Sequence, residues 1–220
     1  MGGVILSADL GQAADPTALG LIERTPDADV VRWLERPALG TPYPAIVERM
    51  ASVAARYDAT VVVDATGVGR PVVDLLRPRC PRLVPVLITA GSHAHRDERG
   101  FWCVPKSVLI SGMQVAMQNQ RVRVAPQPLA DVLTREMRTF RMKLGAKGHA
   151  SYEAWREGDH DDLVLMLAMG LWQSGRMPRA LPTDPRAALE READAMREAA
   201  FARVRERKAR ETRQPWRRGP

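Results

Sequence analysis

Residues Thr60-Val61-Val62-Val63-Asp64 constrain this chain more than any other stretch. Five residues are too few for a helix, and three β-branched valines in a row favour a strand. Successive side chains of a strand point to opposite faces, so an unbroken apolar run must bury both. Such a strand belongs in the middle of a sheet covered by helices on each side. Gly67 and Gly69 follow, and then Val72, Val73, Leu75 and Leu76. The segment therefore reads as strand, glycine turn, helix. Its strand ends on an acid, which apolar packing does not explain.

The same pattern opens the chain. Val4-Ile5-Leu6-Ser7-Ala8-Asp9 is an apolar run that also stops on a carboxylate. Gly11, Asp15 and Pro16 supply turn chemistry before a second run, Thr17 to Ile22, so the pair predicts a hairpin. A third strand is expected over Val30–Glu35. Thr41-Pro42-Tyr43-Pro44 leads into a helix with Ile46, Val47, Met50, Val53 and Ala54 on one face. Further strands are expected at Leu83–Thr89, Phe101–Val104, Arg121–Ala125 and Ala150–Trp155, with Ala90–Gly100 an exposed loop. Pro105 is expected at the first position of a helix striped by Leu109, Met113, Ala116 and Met117. Another helix, Leu129–Met142, should end before Gly145, and Asp159-His160-Asp161-Asp162 should cap one over Leu163–Trp172. The fold class is α/β: a mixed central sheet, antiparallel at its start and flanked by helices.

Composition sets the outer bounds. At 220 residues, 45% hydrophobic and 27% charged, the chain can bury a core without disulfides and is neither fibrous nor wholly disordered. No apolar run approaches the roughly 18 residues of a membrane span. No basic-then-apolar leader opens it, so a cytoplasmic location is expected. Cys80 and Cys103 form no CxxC pair, which argues against a zinc ribbon and for reduced thiols. Net charge is +7, and residues 176–220 hold 13 Arg and Lys against 7 Asp and Glu, so residues 1–175 are nearly neutral. Pro178, Pro182 and Pro185 mark the change. Leu189, Ala193, Met196, Ala200 and Val204 then step as an amphipathic helix, before a basic end, Arg213–Arg218, expected to be disordered. Two parts follow: a domain over 1–175 and a helical, basic extension over 176–220. Such an extension suits nucleic acid or an acidic partner.

Four acids stand at the ends of predicted elements: Asp9 and Asp64 after strands, Asp161 and Asp162 at a helix start. Gathered on one rim, carboxylates repel one another and stay ionised only around a cation. Hard oxygen ligands select Mg²⁺ or Mn²⁺. Two such ions, roughly 3.5–4 Å apart, activate a water and stabilise the leaving oxygen of a phosphodiester. Taken singly, Asp161 or Asp162 serves equally as a helix N-cap, and Asp9 and Asp64 as turn residues. His93 and His95 alternate in a polar loop with no acid in register, a poor metal pair.

In this order the motifs resemble those of the nuclease domain of phage terminase large subunits. Asp9-Leu10-Gly11 with Asp15-Pro16-Thr17-Ala18 is similar to that family's first motif, and Val61 through Gly69 to its second. Val104-Pro105-Lys106 with Leu109 resembles its middle region, and Gly158-Asp159-His160-Asp161-Asp162-Leu163 its third. The resemblance spans residues 3 to 175. It implies an RNase H-like fold, related to junction resolvases and integrases, and cleavage of double-stranded DNA during genome packaging in the cytoplasm of an infected bacterium. It implies that Asp9, Asp64 and one or both of Asp161 and Asp162 ligate Mg²⁺ or Mn²⁺, two ions in all, as the catalytic set. It gives His160 a supporting role, orienting a carboxylate or a water. Lys106, Arg141 and Lys143 are expected to meet DNA phosphates. The implied partners are double-stranded DNA, the portal, a separate ATPase motor and the small terminase subunit, with no membrane.

One departure stands out: no GxxxxGK[ST] phosphate loop occurs. Any packaging motor is therefore expected from another polypeptide or segment. Three rival readings remain at this level. A Holliday-junction resolvase of the same fold would prefer branched DNA. An actin-like phosphotransferase would bind ATP but needs a duplicated domain. A non-catalytic DNA-binding or docking module would keep the fold without the metal chemistry.

Overall fold

The computed structural model describes residues 3–11, 15–67, 69–146 and 161–178, the side chains of 141–146 excepted. The chain divides into two units, Met1–Ala180 and Leu181–Pro220, and everything described belongs to the first. Eight strands make one mixed sheet: β1 Val4–Asp9, β2 Ala18–Arg24, β3 Asp29–Glu35, β4 Thr60–Asp64, β5 Leu83–Thr89, β6 His95–Arg96, β7 Trp102–Pro105 and β8 Val122–Val124. The helices are α1 Tyr43–Tyr57, α2 Gly69–Leu76, α3 Lys106–Gln118, α4 Ala130–Ala146 and α5 Asp162–Arg176. The spatial order is β6-β7-β5-β4-β1-β2-β3-β8, so the two apolar runs that end on acids lie side by side near the middle.

That position follows from their sequence. β1 and β4 present apolar side chains to both faces, and each face has its own core. Leu6, Ala8, Val61 and Val63 pack with α1 and α2 residues such as Met50 and Val73. Ile5 and Val62 pack with α3, α4 and α5 through Leu109, Leu133 and Leu167. The hairpin expected from Gly11, Asp15 and Pro16 is present, with β1 antiparallel to β2 and β2 to β3. β1, β4, β5 and β7 run parallel, so all four release their C-terminal ends on one edge. Open α/β sheets present ligand sites at such an edge.

Helix α5 lies on β1 and β2 at very close range. A Cβ built on Gly170 would fall 2.3 Å from Ile22 Cδ1 and 3.2 Å from Ser7 Cβ, so only glycine permits this approach. Ser7 Oγ donates to the Met166 carbonyl at 2.7 Å, fixing the helix along the strand. Beyond the acids, buried Arg24 donates through one guanidinium nitrogen to Ser174 Oγ at 2.8 Å. Ser174 Oγ in turn donates to Asp29. The C-terminal end of α5 is thereby tied to β2 and β3.

Several sequence expectations need correction. Pro105 closes β7 and stands as the N-cap of α3, with extended backbone (φ −60°, ψ 137°). The parallel ladder to Thr89 keeps it in the sheet. Helix α4 does not stop before Gly145 but runs to Ala146. The loop after β5 contains the two-residue strand β6, antiparallel to β7. The expected strand at Ala150–Trp155 and the extension beyond Pro178 lie outside the described residues. Among the described residues no helix is long and apolar enough to cross a membrane.

Candidate functional site

The rim acids are brought together by strand register. Ala8 pairs with Val63 in the parallel β1–β4 ladder, so the next residues, Asp9 and Asp64, leave the sheet side by side. By the period of two, Asp9 shares a face with Ser7, and Asp64 with Val62. That face is the one α5 covers. Helix α5 begins over the same edge, because Ser7 holds Met166 one turn beyond Asp162. Thus Asp9, Asp64, Asp161 and Asp162, the four acids expected to act together, reach one end of one face.

Their electrostatics confirm the proximity. The Asp9 carboxyl is raised well above its ordinary value, first by burial and then by the charges of Asp64, Asp162 and Asp161, with Lys106 acting in the opposite direction. Asp64 is raised by burial and lowered by hydrogen bonds from Thr66 and by Lys106. The Thr66 amide donates to Asp64 Oδ1 at 2.7 Å, and the Thr66 hydroxyl accepts the Ile88 amide at 2.9 Å. Thr66 therefore links Asp64 to the neighbouring strand β5, a role that its sequence position in the turn after β4 did not announce.

Lys106 enters from the start of α3, at the end of β7. Its ammonium lies 3.8 Å from Asp161. Burial lowers its pKa, while Asp161, Asp9 and Asp64 raise it. Among the described residues Lys106 and Arg36 face the four acids, which leaves an excess of negative charge when all are ionised. Asp161 occupies the N-cap position of α5, yet its side chain makes no capping hydrogen bond. The helix-cap alternative for Asp161 is not the geometry found.

Sequence reasoning missed two neighbours. Arg36, just past β3, contacts Glu136 of α4 at 2.5 Å and Asp162 at 3.2 Å through the same nitrogen. Burial raises the Glu136 carboxyl, against the effect of Arg36. Nothing local marks either residue, since each sits among other charges in the sequence. Of the remaining expectations, His160 lies outside the described residues, as do the side chains of Arg141 and Lys143, which belong to the last turns of α4. His93 and His95 are exposed, just before and on the outermost strand β6, three strands from β4. Trp102 and Trp172 pack edge to face, 5.6 Å between ring centres, as expected of packing residues.

Chemically, the donor set suits a hard divalent cation. The acids are short and oxygen-only, Asp9 and Asp162 are buried, and burial and like charge both oppose the ionisation of Asp9. A cation between them relieves both. Among the described residues no three His, Cys, Asp or Glu side chains are drawn together closely enough to hold an ion as they stand, so the rim is an open cluster that a cation would have to tighten.

Comparison with known proteins places this arrangement. The Terminase RNaseH-like domain family matches residues 6–173. The fold is similar to that of the large terminase nuclease of thermophilic phage G20c with bound magnesium: TM-score 0.57, 23% identity, over 78% of this chain and 82% of that one. It is similar to the large terminase nuclease domain of Thermus phage P74-26, with TM-score 0.55 and 21% identity over 82% and 84% of the two chains. The manganese-soaked terminase nuclease domain of human cytomegalovirus gives TM-score 0.50 and 14% identity over 78% and 82%. No curated protein sequence matches the chain. The mixed sheet is thus of the RNase H-like kind, and the chain belongs to the terminase RNase H-like domain family.

Proposed function

We propose that this chain is a divalent-metal-dependent endonuclease that cuts double-stranded DNA during phage genome packaging. The observation that carries the reading is the β1–β4 register, which aligns Asp9 with Asp64 under the start of α5. The magnesium and manganese of the G20c and cytomegalovirus nuclease structures support the choice of metal. In this reading residues 1–175 form the nuclease and 176–220 an extension free to contact DNA or another packaging protein.

Asp9, Asp64, Asp161 and Asp162 would hold Mg²⁺ or Mn²⁺, two ions in the full reading. Bound there, the metal would ready a water for in-line attack on phosphorus and stabilise the leaving oxygen. The protein's own residues do the rest. Thr66 holds the Asp64 carboxylate at a fixed angle to β5. Ser7 holds α5 so that its first residues meet Asp9. Lys106 balances Asp161 and offers its ammonium to a DNA phosphate at the same rim. Nothing in the sequence resembles a base-reading element, so sequence preference should be low.

The test is plasmid cleavage with Mn²⁺, Mg²⁺ or EDTA, using the wild type beside Asp9→Ala and Asp64→Ala. Metal-dependent nicking or linearisation is expected. Each substitution should reduce it by about a thousandfold, the loss of several kcal/mol of transition-state stabilisation. Cleavage that survives both substitutions would falsify the site, and a folded wild type that never cleaves with either metal would favour a docking module.

A further inference from the structure

Arg36, Glu136 and Asp162 come from three elements, the end of β3, the middle of α4 and the start of α5, and meet at one guanidinium nitrogen. β3 runs parallel to β1, and Glu35 is level with Leu19 and so with Ala8. Arg36 therefore emerges on the same edge as Asp9, two strands away. The side chains are mostly buried, with Arg36 20%, Glu136 9% and Asp162 12% exposed. The proposed reaction uses neither Arg36 nor Glu136.

A buried ion pair is weak evidence for stability, because desolvation offsets much of its attraction. Arg36 Nε is buried without a hydrogen-bond partner, and Glu136 is also held by the Leu163 backbone amide at the start of α5. What the cluster does supply is direction. Holding one oxygen fixes the orientation of the whole Asp162 carboxylate. Glu136 matters equally: it offsets the guanidinium charge, which would otherwise repel a cation at the rim. Carboxylates that ligate metals are commonly held from behind by such hydrogen bonds.

We infer that Arg36, steadied by Glu136, is a positioning residue for Asp162, holding one carboxylate oxygen so that the other is presented to the cation site shared with Asp9. The inference rests on the metal reading above and adds to it two residues that touch neither DNA nor metal.

The test measures Mn²⁺ binding to the metal-free full chain by calorimetry, without DNA. The informative variant is the double substitution Arg36→Met with Glu136→Gln. It removes one charge of each sign, so the net field at the rim is kept and a loss of affinity reports lost orientation. Wild type is expected to bind, Asp64→Asn to lose binding, and the double variant to bind about tenfold more weakly while keeping its circular dichroism. Arg36→Lys keeps the charge without the planar fork and should fall between. A folded double variant with affinity within about twofold of wild type overturns the inference, being well short of the usual loss. Should the double variant not fold, Arg36→Lys decides: weakened binding supports the inference and wild-type binding overturns it. Failure of the metal reading looks different, because wild type and Asp64→Asn would then bind Mn²⁺ alike, and both proposals fall.

Discussion

Helix α5 meets the sheet through charged and polar groups at both ends, and the two ends are balanced differently. At its C-terminal end Arg24, Ser174 and Asp29 form a buried chain in which the hydroxyl accepts from the base and donates to the acid. One positive charge faces one negative charge, and β2 and β3 bring them level, Arg24 opposite Asp29. At the N-terminal end Asp9, Asp64, Asp161 and Asp162 crowd a rim where, among the described residues, Lys106 and Arg36 are the basic groups in contact. Burial and like charge both act against ionisation there. The first end is balanced in charge by its own residues, while the second gains most when a cation arrives. One-to-one charge balance marks a structural polar cluster, and an excess of one charge among the described residues marks a site.

The comparison can be broken at either end, and the largest effect is expected at the balanced one. Asp29→Ala strips Ser174 of its acceptor and takes negative charge away from buried Arg24. It should cost about 3 kcal/mol of stability, measured by urea unfolding, and leave the metal dependence of cleavage unchanged. A change in metal requirement would mean that the ends are not separable. Gly170→Ala probes the middle of the helix. The clash with Ile22 and Ser7 outweighs the gain in helix propensity, for a net loss of about 1–2 kcal/mol. If α5 placement governs the rim, Mn²⁺ affinity should fall with it. Unchanged affinity would show that Arg36 and Ser7 hold the helix start on their own.

The smallest effect is a pH dependence at the crowded end. The Asp9 carboxyl is raised from its ordinary value of 3.8. Its contribution to stability is therefore fully present below that value and is lost as pH rises through the raised one. Asp9→Asn removes this loss. In EDTA, the melting temperature of wild type should fall relative to Asp9→Asn as pH climbs from acid to neutral, and added Mn²⁺ should raise wild type alone. Parallel melting curves across that range would show that the rim carries no such penalty.

Much of this was legible in the sequence for one reason: period and punctuation are local. Leu83–Thr89 was read residue for residue, and the apolar runs at Val4 and Thr60 placed their terminal acids at strand ends because apolar residues on both faces demand a central strand. The order of the motifs then carried the fold. What escaped is what depends on contact between distant elements. Glu136 lies in a helix with Arg135 and Arg138 and reads as a solvated face; its partners, Arg36 a hundred residues away and the start of α5, come from distant elements. Arg24 and Asp29 lie just outside the strands expected over Thr17–Ile22 and Val30–Glu35, and only the fold joins them through Ser174. Pro105 was misplaced by one position because a proline fits both a helix start and the last residue of an edge-side strand.

The tie between Ser7 and Met166 spans 159 residues of chain, and that between Arg24 and Ser174 spans 150. Contacts this remote slow folding, because a long loop must close before they form. During synthesis, β1 through β5 are available to pair long before α5 exists, and the face that α5 covers stays open until then. Helix α5, the last of the described helices to emerge, thus completes this face and brings in Asp161 and Asp162 at the same moment. Assembly order itself withholds half of the acids from the rim until the sheet beneath them is finished.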